Sequence, residues 1–158
     1  KIGIVRKGKF KLRSGVTSNL YCDVRKLFGD PDLLLAISRT ICKMLPKGTT
    51  CIAGSGYGGL PFATAVALIN KTKLSAVRNE TKNHGIKKSI EGYVPEMKDR
   101  IVIVDDLFTT GSSILDTAKE LEKKGAKIIG AIIVINRSRI SNFSIPLQHL
   151  FTLKEIID

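Results

Sequence analysis

The stretch from Arg100 to Ser113, Arg-Ile-Val-Ile-Val-Asp-Asp-Leu-Phe-Thr-Thr-Gly-Ser-Ser, restricts the folds open to this chain more than any other. Ile101 to Val104 are four β-branched residues in succession, an unbroken apolar run that fits a parallel strand at 100–104 covered on both faces. The run ends in two carboxylates, Asp105 and Asp106, which are expected at a solvent-facing strand end. A hydroxyl-rich turn with Gly111 follows. Ile114, Leu115, Ala118 and Leu121 then recur at helical spacing until Gly125 supplies a stop. Strand, turn and helix in this order imply a sheet with helices packed on it.

That order has chemical consequences. Ligands of open α/β sheets sit beyond the carboxyl ends of the strands, and a helix N-terminus offers unpaired N–H groups to an anion. Thr109, Thr110, Gly111, Ser112 and Ser113 are therefore candidates for a phosphate cradle. Asp105 and Asp106 do not help to bind that phosphate, but as acceptors they suit vicinal hydroxyls or a hydrated divalent cation. Phosphate beside a diol describes a sugar phosphate. Taken alone, a pair of Asp after a strand has a plainer reading as a cap or strand end, and turn chemistry favours it; the complete run of acids, hydroxyls and glycine changes that balance.

A second join carries its own alternative. Thr49 to Ala53 reads as a short strand, and Gly54-Ser55-Gly56-Tyr57-Gly58-Gly59 links it to a helix expected from near Pro61 through Ile69. Gly54, Gly56 and Gly59 satisfy G-x-G-x-x-G, and Glu80 lies 21 residues beyond Gly59, as in a dinucleotide-binding unit. A nicotinamide or flavin oxidoreductase is one reading of this pattern. Against it, such a fold gains nothing from Asp105 and Asp106, and Arg78 and Lys82 beside Glu80 would occupy its charge. The other reading is that the glycines let backbone N–H groups approach a pyrophosphate.

The remaining segments supply scaffold and surface. Asp30-Pro31 is an N-cap followed by proline at the first helical position, and Leu33, Leu34, Ile37, Ile41 and Leu45 mark one face until Pro46 and Gly48. Residues 10–27 suggest short strands around a Ser-Gly turn. Further strands are expected at 74–78 and, last in the chain, 127–136, leaving Ser138 to Asp158 as a connection and a short terminal element. Alternation with helices implies a parallel sheet flanked on both faces. A length of 158 residues with 43% hydrophobic content suits one domain, 1–158. No apolar run reaches the roughly 18 residues of a membrane span, and the opening Lys-Ile-Gly-Ile-Val-Arg does not resemble a signal peptide, so a soluble cytoplasmic protein is expected. The chain begins without Met, as a trimmed N-terminus would. Cys22, Cys42 and Cys51 lack C-x-x-C spacing and read as reduced, mostly buried thiols. The formal charge of +12 favours a polyanionic partner, whether nucleic acid, an anionic membrane or a ligand with several phosphates. Lys123, Lys124 and Lys127 have a plainer role beside a helix C-terminus, and the five basic residues from Arg6 to Arg13 suit either phosphates or a protected strand edge. His149 has no acidic or Cys neighbour that would make it a ligand.

The Arg100–Ser113 run resembles the PRPP-binding motif of the type I phosphoribosyltransferases: an apolar strand, two acids, two variable residues, Thr-Thr-Gly, then small hydroxyl residues. The resemblance implies that Asp105 and Asp106 hold the ribose 2- and 3-hydroxyls, while Leu107, Phe108, Thr109, Thr110, Gly111, Ser112 and Ser113 surround the 5-phosphate. Within that family, Phe10 to Tyr21 is similar to the opening of orotate phosphoribosyltransferases, Phe-x-Leu-Lys-Ser-Gly-x-x-Ser-x-x-Tyr, part of a hood (about 1–27) over the pyrimidine. Arg13 stands where the family has that lysine, keeping the charge but changing the donor geometry. Tyr21 falls against the orotate ring, and Thr109 and Arg137 complete the implied orotate set. Ser55, Gly56, Tyr57 and Gly58 by the same resemblance meet the pyrophosphate.

Arg78, Lys82, His84 and Gly85 match Arg-Lys-x-x-Lys-x-His-Gly, which in the family is a catalytic loop that closes over the pyrophosphate of the neighbouring subunit. The surrounding stretch, 79–92, is basic and aperiodic and reads by itself as a mobile loop. Gly58 and Asn79 depart from the family, where lysine is frequent, and the helix that usually precedes Phe10 is missing.

The activity implied is orotate plus PRPP giving orotidine 5-monophosphate and pyrophosphate, a step of de novo pyrimidine synthesis. Mg²⁺ would be carried by PRPP and reach Asp105 and Asp106, and a homodimer would share the 79–92 loop, with neither nucleic acid nor membrane as partner. Cleavage of the C1–O bond builds negative charge on pyrophosphate, which fixed cations stabilise, so Lys82 and His84 join Asp105 and Asp106 as catalytic candidates and no covalent nucleophile is needed. Three alternatives stay open: a purine phosphoribosyltransferase, a PRPP-sensing regulator without catalysis, and the dinucleotide enzyme. The absent lysines at 58 and 79 favour the regulator, while a 158-residue chain leaves no room for the DNA-binding module such regulators usually add.

Overall fold

Two strands open the chain, β1 (Val5–Lys11) and β2 (Thr17–Cys22), paired antiparallel with Val5 opposite Cys22 and Lys11 opposite Thr17. After a 3-10 helix over Val24–Gly29, the Asp30 carboxylate accepts the Leu33 N–H at 3.0 Å and caps α1 (Pro31–Met44), as Asp-Pro requires. There follow β3 (Cys51–Ser55), α2 (Gly56–Asn70), β4 (Lys73–Val77), β5 (Ile90–Gly92), β6 (Arg100–Phe108), α3 (Ser112–Glu122), β7 (Lys127–Asn136), β8 (Leu147–Thr152) and α4 (Leu153–Ile157). The structure, a computed structural model, describes residues 3–11, 17–78, 89–138 and 140–157.

Six strands form one sheet in the order β5-β4-β3-β6-β7-β8. Two expectations are corrected here. The sheet is not wholly parallel, because Ile90–Gly92, read from sequence as the end of a loop, returns antiparallel along β4 with Val77 opposite Ile90. An antiparallel neighbour needs no covering crossover, so three residues suffice. Nor is β7 the last strand: β8 runs parallel to it, with Ala131 opposite Leu147 and Asn136 opposite Thr152. Edge strand β8 lacks a continuous apolar run because only part of it is covered. Leu147 and Leu150 are half-buried, whereas Gln148 and His149 face outward.

The unbroken β-branched run of β6 has the expected cause. Val102 and Val104 join Ile52, Phe62, Val66, Ile132 and Val134 in a core beneath α1 and α2. Ile101 and Ile103 join Cys51, Ala53, Ile114, Leu121 and Ile133 on the α3 side. Both faces of the central strand are therefore sealed, and each fully buried Ile or Val contributes roughly 1.5–3 kcal/mol of apolar transfer. Cys22 and Cys51 are buried and Cys42 half-buried, all three free. No helix among the described residues is long and apolar enough to cross a membrane.

The strand beginnings are fastened by one acid. Asp99, 1% exposed, accepts from Thr50 Oγ1 (2.8 Å), Tyr93 OH (2.7 Å), the Glu96 N–H (2.9 Å) and Lys73 Nζ (3.3 Å). Burial alone would push its carboxyl up, but these donors outweigh burial and hold it well below the usual carboxylate range.

Candidate active site

The site lies at the other end, where β3 leaves the sheet and β6 continues. β3 pairs with β6 only from Cys51 opposite Ile101 to Ala53 opposite Ile103. Gly56, at φ 62°, then turns the chain straight into α2. Helix α2 begins there rather than near Pro61, which lies inside the helix. Its first turn fills the space beside β6 that β3 has vacated. There is no room in that contact for a side chain. A Cβ on Gly59 would stand 2.9 Å from the Val104 carbonyl oxygen and 2.7 Å from Asp105 Oδ1, and one on Gly58 would stand 2.3–2.5 Å from the Asp106 carboxylate atoms. These glycines admit the acid pair, which removes the need for a dinucleotide to explain them.

Asp105 and Asp106 do not terminate the strand, as their sequence position had implied. β6 runs on to Phe108 because β7 keeps pairing with it, Asp105 opposite Ile133 and Phe108 opposite Asn136. The expectation of a solvent-facing pair is corrected as well: Asp105 is 7% exposed and Asp106 half-buried. Asp105 Oδ1 accepts the Asp106 N–H at 2.9 Å. Burial first, and then the charge of Asp106, push the Asp105 carboxyl well above its ordinary range; burial likewise raises Asp106. Two carboxylates held this close share protons easily and gain from any diol or cation that satisfies them.

Beyond β6 the chain turns through Thr109 and Thr110, both exposed, into α3. Gly111 makes that turn at φ 82°, and a Cβ on it would lie 2.4 Å from the Phe143 ring and 2.8 Å from that of Phe108, whose rings meet edge-on at 5.0 Å. The first two turns of α3 are tied to the end of β3: Thr117 Oγ1 donates to Ser55 Oγ at 2.9 Å, and Ser55 Oγ lies 3.5 Å from Ser113 Oγ. Thus Ser55, Gly56, Gly58, Asp105, Asp106 and Thr109–Ser113 meet in one place, with the starts of two helices converging there. Tyr57, 90% exposed, stands at the rim.

The β1–β2 hairpin reaches the same end of the sheet. Arg137, just after β7, donates from Nη2 to Ser18 Oγ of β2 at 2.6 Å. Tyr21 stacks on Phe10 at 5.4 Å, and its phenol oxygen accepts from Arg25 Nη2 at 3.2 Å. Arg25 in turn pairs through Nε with Asp23 Oδ1 at 2.7 Å. Arg78, assigned to pyrophosphate, is exposed and paired with Glu91 at 3.0 Å across β4 and β5. Arg13, Asn79, Glu80, Lys82, His84 and Gly85 lie outside the described residues. Among the described residues no cluster of three His, Cys, Asp or Glu could hold a metal.

The sequence reading missed Gly59 as the seat of Asp105, assigned Gly58 to the pyrophosphate and to an absent lysine but not to the Asp106 carboxylate it meets, and passed over Asp23 and Arg25. The last pair had a signal, since an acid and an arginine two apart shortly after a tyrosine are well spaced to brace it.

An acid pair, one member buried and the other half-buried, beside a hydroxyl-rich helix start suits a sugar phosphate, and the phosphoribosyl transferase domain model matches residues 32–142. The orotate phosphoribosyltransferase of Methanocaldococcus jannaschii is 34% identical over 161 aligned residues, spanning 99% of this chain and 91% of that protein. That of Pyrococcus furiosus is 40% identical over 136 residues, 84% of this chain and 74% of that one. The crystal structure of orotate phosphoribosyltransferase from Aeropyrum pernix, 30% identical, superposes with a TM-score of 0.84 over 99% of this chain and 92% of its own. The chain belongs to the orotate phosphoribosyltransferase family and has the type I phosphoribosyltransferase fold.

Proposed function

We propose that the chain transfers the phosphoribosyl group of PRPP to orotate, giving orotidine 5-monophosphate and pyrophosphate in pyrimidine biosynthesis. The observation that carries this reading is the acid pair Asp105–Asp106 seated against the first turn of α2, in a chain that aligns over 99% of its length with an orotate phosphoribosyltransferase. The ribose diol approaches the two carboxylates, and Thr109 to Ser113 receive the 5-phosphate at the start of α3, where backbone N–H groups lack intrahelical partners. Pyrophosphate lies toward Ser55–Gly58, at the start of α2. Orotate enters beneath the hairpin, its ring against Tyr21 and its polar edge toward Arg13, Arg137 and Thr109. As the C1–O bond of PRPP breaks, its electron pair leaves with pyrophosphate while the pyrimidine nitrogen, its proton released to solvent water, bonds to C1. Lys82 and His84 stabilise the departing charge.

Asp105 and Asp106 are too few to chelate a cation unaided, which fits Mg²⁺ that arrives on the substrate phosphates and retains water. When bound, Mg²⁺ would neutralise charge on PRPP. We include in this reading a homodimer whose subunits share the segment 79–89 that precedes β5, and a cytoplasmic setting, in keeping with three unpaired cysteines.

The test is to incubate the protein with PRPP, MgCl₂ and, separately, orotate, uracil, adenine, guanine and xanthine, and to measure pyrophosphate. Release with orotate alone is expected. Release with a purine would move the chain to the purine enzymes, and none with any base to the regulators.

A further inference from the structure

We propose that Arg25 is a positioning residue for the base: locked to Asp23, its guanidinium braces the Tyr21 phenol and holds a fixed positive charge at the mouth of the site. The inference rests on the reading that orotate lies against Tyr21. Its basis is geometric. Arg25 belongs to the 3-10 helix Val24–Gly29, which packs against both α2 and β6. Its Nε donates to Asp23 Oδ1 at 2.7 Å and its Nη2 to the Tyr21 oxygen at 3.2 Å, so two separate bonds fix the plane of the guanidinium. Of its five N–H donors, three remain for a ligand or water. Phe10 closes the far side of the Tyr21 ring at 5.4 Å, leaving the phenol little freedom of its own.

A lysine at this position would supply charge but not the two-point brace.

The decisive experiment uses Arg25→Gln and Arg25→Lys in the full chain. With orotate, PRPP and MgCl₂, Arg25→Gln is expected to raise KM for orotate about tenfold, the loss of one charge-assisted hydrogen bond, with kcat within about twofold. Arg25→Lys should keep most of the KM defect. In ligand-free protein, ¹³C NMR of labelled tyrosines should show the Tyr21 ring-carbon signals displaced in Arg25→Gln, where the guanidinium–phenol bond is lost. If the wild type converts orotate and both KM values match it, the inference is overturned while the proposed function stands. If the wild type does not convert orotate, the proposed function fails, and Tyr21 signals unmoved by Arg25→Gln then overturn the inference on their own.

Discussion

Replacing Asp105 and Asp106 together by Asn should raise stability and abolish function in one step. Asp105 is 7% exposed and sits directly beside a second carboxyl, so burial and like charge both oppose ionisation. A carboxyl whose folded pKa is raised keeps protons that the unfolded chain has released. Wild-type stability therefore falls as pH rises above the unfolded carboxylate range, near pH 4, until the folded pair has ionised. Every tenfold gain in the folded carboxyl's proton affinity costs the ionised protein roughly 1.4 kcal/mol of stability. Asn carries no such penalty at any pH, while its amide oxygen can still accept the N–H at position 106. A net gain of about 1–2 kcal/mol at pH 8 would lift Tm by roughly 2–8 °C for a domain of this size, shrinking as pH falls towards about 4. Binding should move the other way. Two charge-assisted bonds to the ribose hydroxyls, at about 1.5–3 kcal/mol each, amount to a loss of about 10²–10⁴ in PRPP affinity. Calorimetric titration with PRPP and MgCl₂, and thermal melts at pH 5, 6.5 and 8, measure the two sides. Undiminished PRPP affinity would refute the assignment of the pair to the ribose, and a variant-minus-wild-type Tm difference that does not grow with pH would refute the electrostatics.

The two glycines under the pair should respond differently. Gly59→Ala presses on the Val104 backbone and is expected to destabilise by about 1–3 kcal/mol, whereas Gly58→Ala meets only the Asp106 carboxylate, which can rotate at a cost of about 0.5–1.5 kcal/mol against about 1 kcal/mol of helix propensity gained. Urea melts should thus find Gly58→Ala near wild type, and PRPP titration should find it weakened. Asp99→Asn is expected to cost about 1–3 kcal/mol at pH 7; because the folded carboxyl is held low, that stability is present above about pH 4 and is lost progressively on acidification, so denaturant melts of the two proteins should draw together as pH falls below about 4. Mixing Lys82→Ala with Asp105→Asn/Asp106→Asn, each inactive alone, should regain part of the wild-type rate once mass spectrometry confirms subunit exchange; a mixture that exchanges and stays inactive would place Lys82 in its own subunit's site or outside catalysis. NADH and NADPH should show no saturable binding below millimolar concentration by fluorescence, since the glycine turn is committed to the acid pair.

The parts of this fold legible in the sequence are those where one local cause dominates. Ile101 to Val104 can only be buried on both faces, and Asp30-Pro31 can hardly do other than start a helix. The hydroxyl turn was legible for a similar reason: Gly111 between two threonines and two serines needs a left-handed turn whatever surrounds it. What was lost depended on partners distant in sequence. β8 owes its strand to β7 and not to any pattern in Leu147–Thr152, and β5 exists because Ser75 to Val77 offer it an edge. The length of β6 was misjudged because two acids look like a strand end, whereas β7 supplies hydrogen bonds as far as Phe108 regardless of side-chain polarity. Arg25 escaped notice because what ties it to the hairpin is a bond to Tyr21, four residues away across the bend from β2 into the 3-10 helix.

The glycine join shows why spacing alone misleads. G-x-G-x-x-G records three demands: a turn, a close backbone approach, and tight packing of helix on strand. All three are present here, with Gly56 in the turn, Gly59 against the Val104 carbonyl and Gly54 too near Ala63 for a side chain, its Cβ position lying 2.5 Å from that of Ala63. The pattern therefore reports the geometry of a helix that starts against its neighbouring strand, and that geometry is common to any fold that points a helix N-terminus at a phosphorylated ligand. Which ligand is decided by what the neighbouring strand presents. In this chain it presents two carboxylates, which repel a bare pyrophosphate but can accept the hydroxyls of a ribose that carries it, so under the proposed function the same turn that would cradle a dinucleotide would hold the leaving half of PRPP.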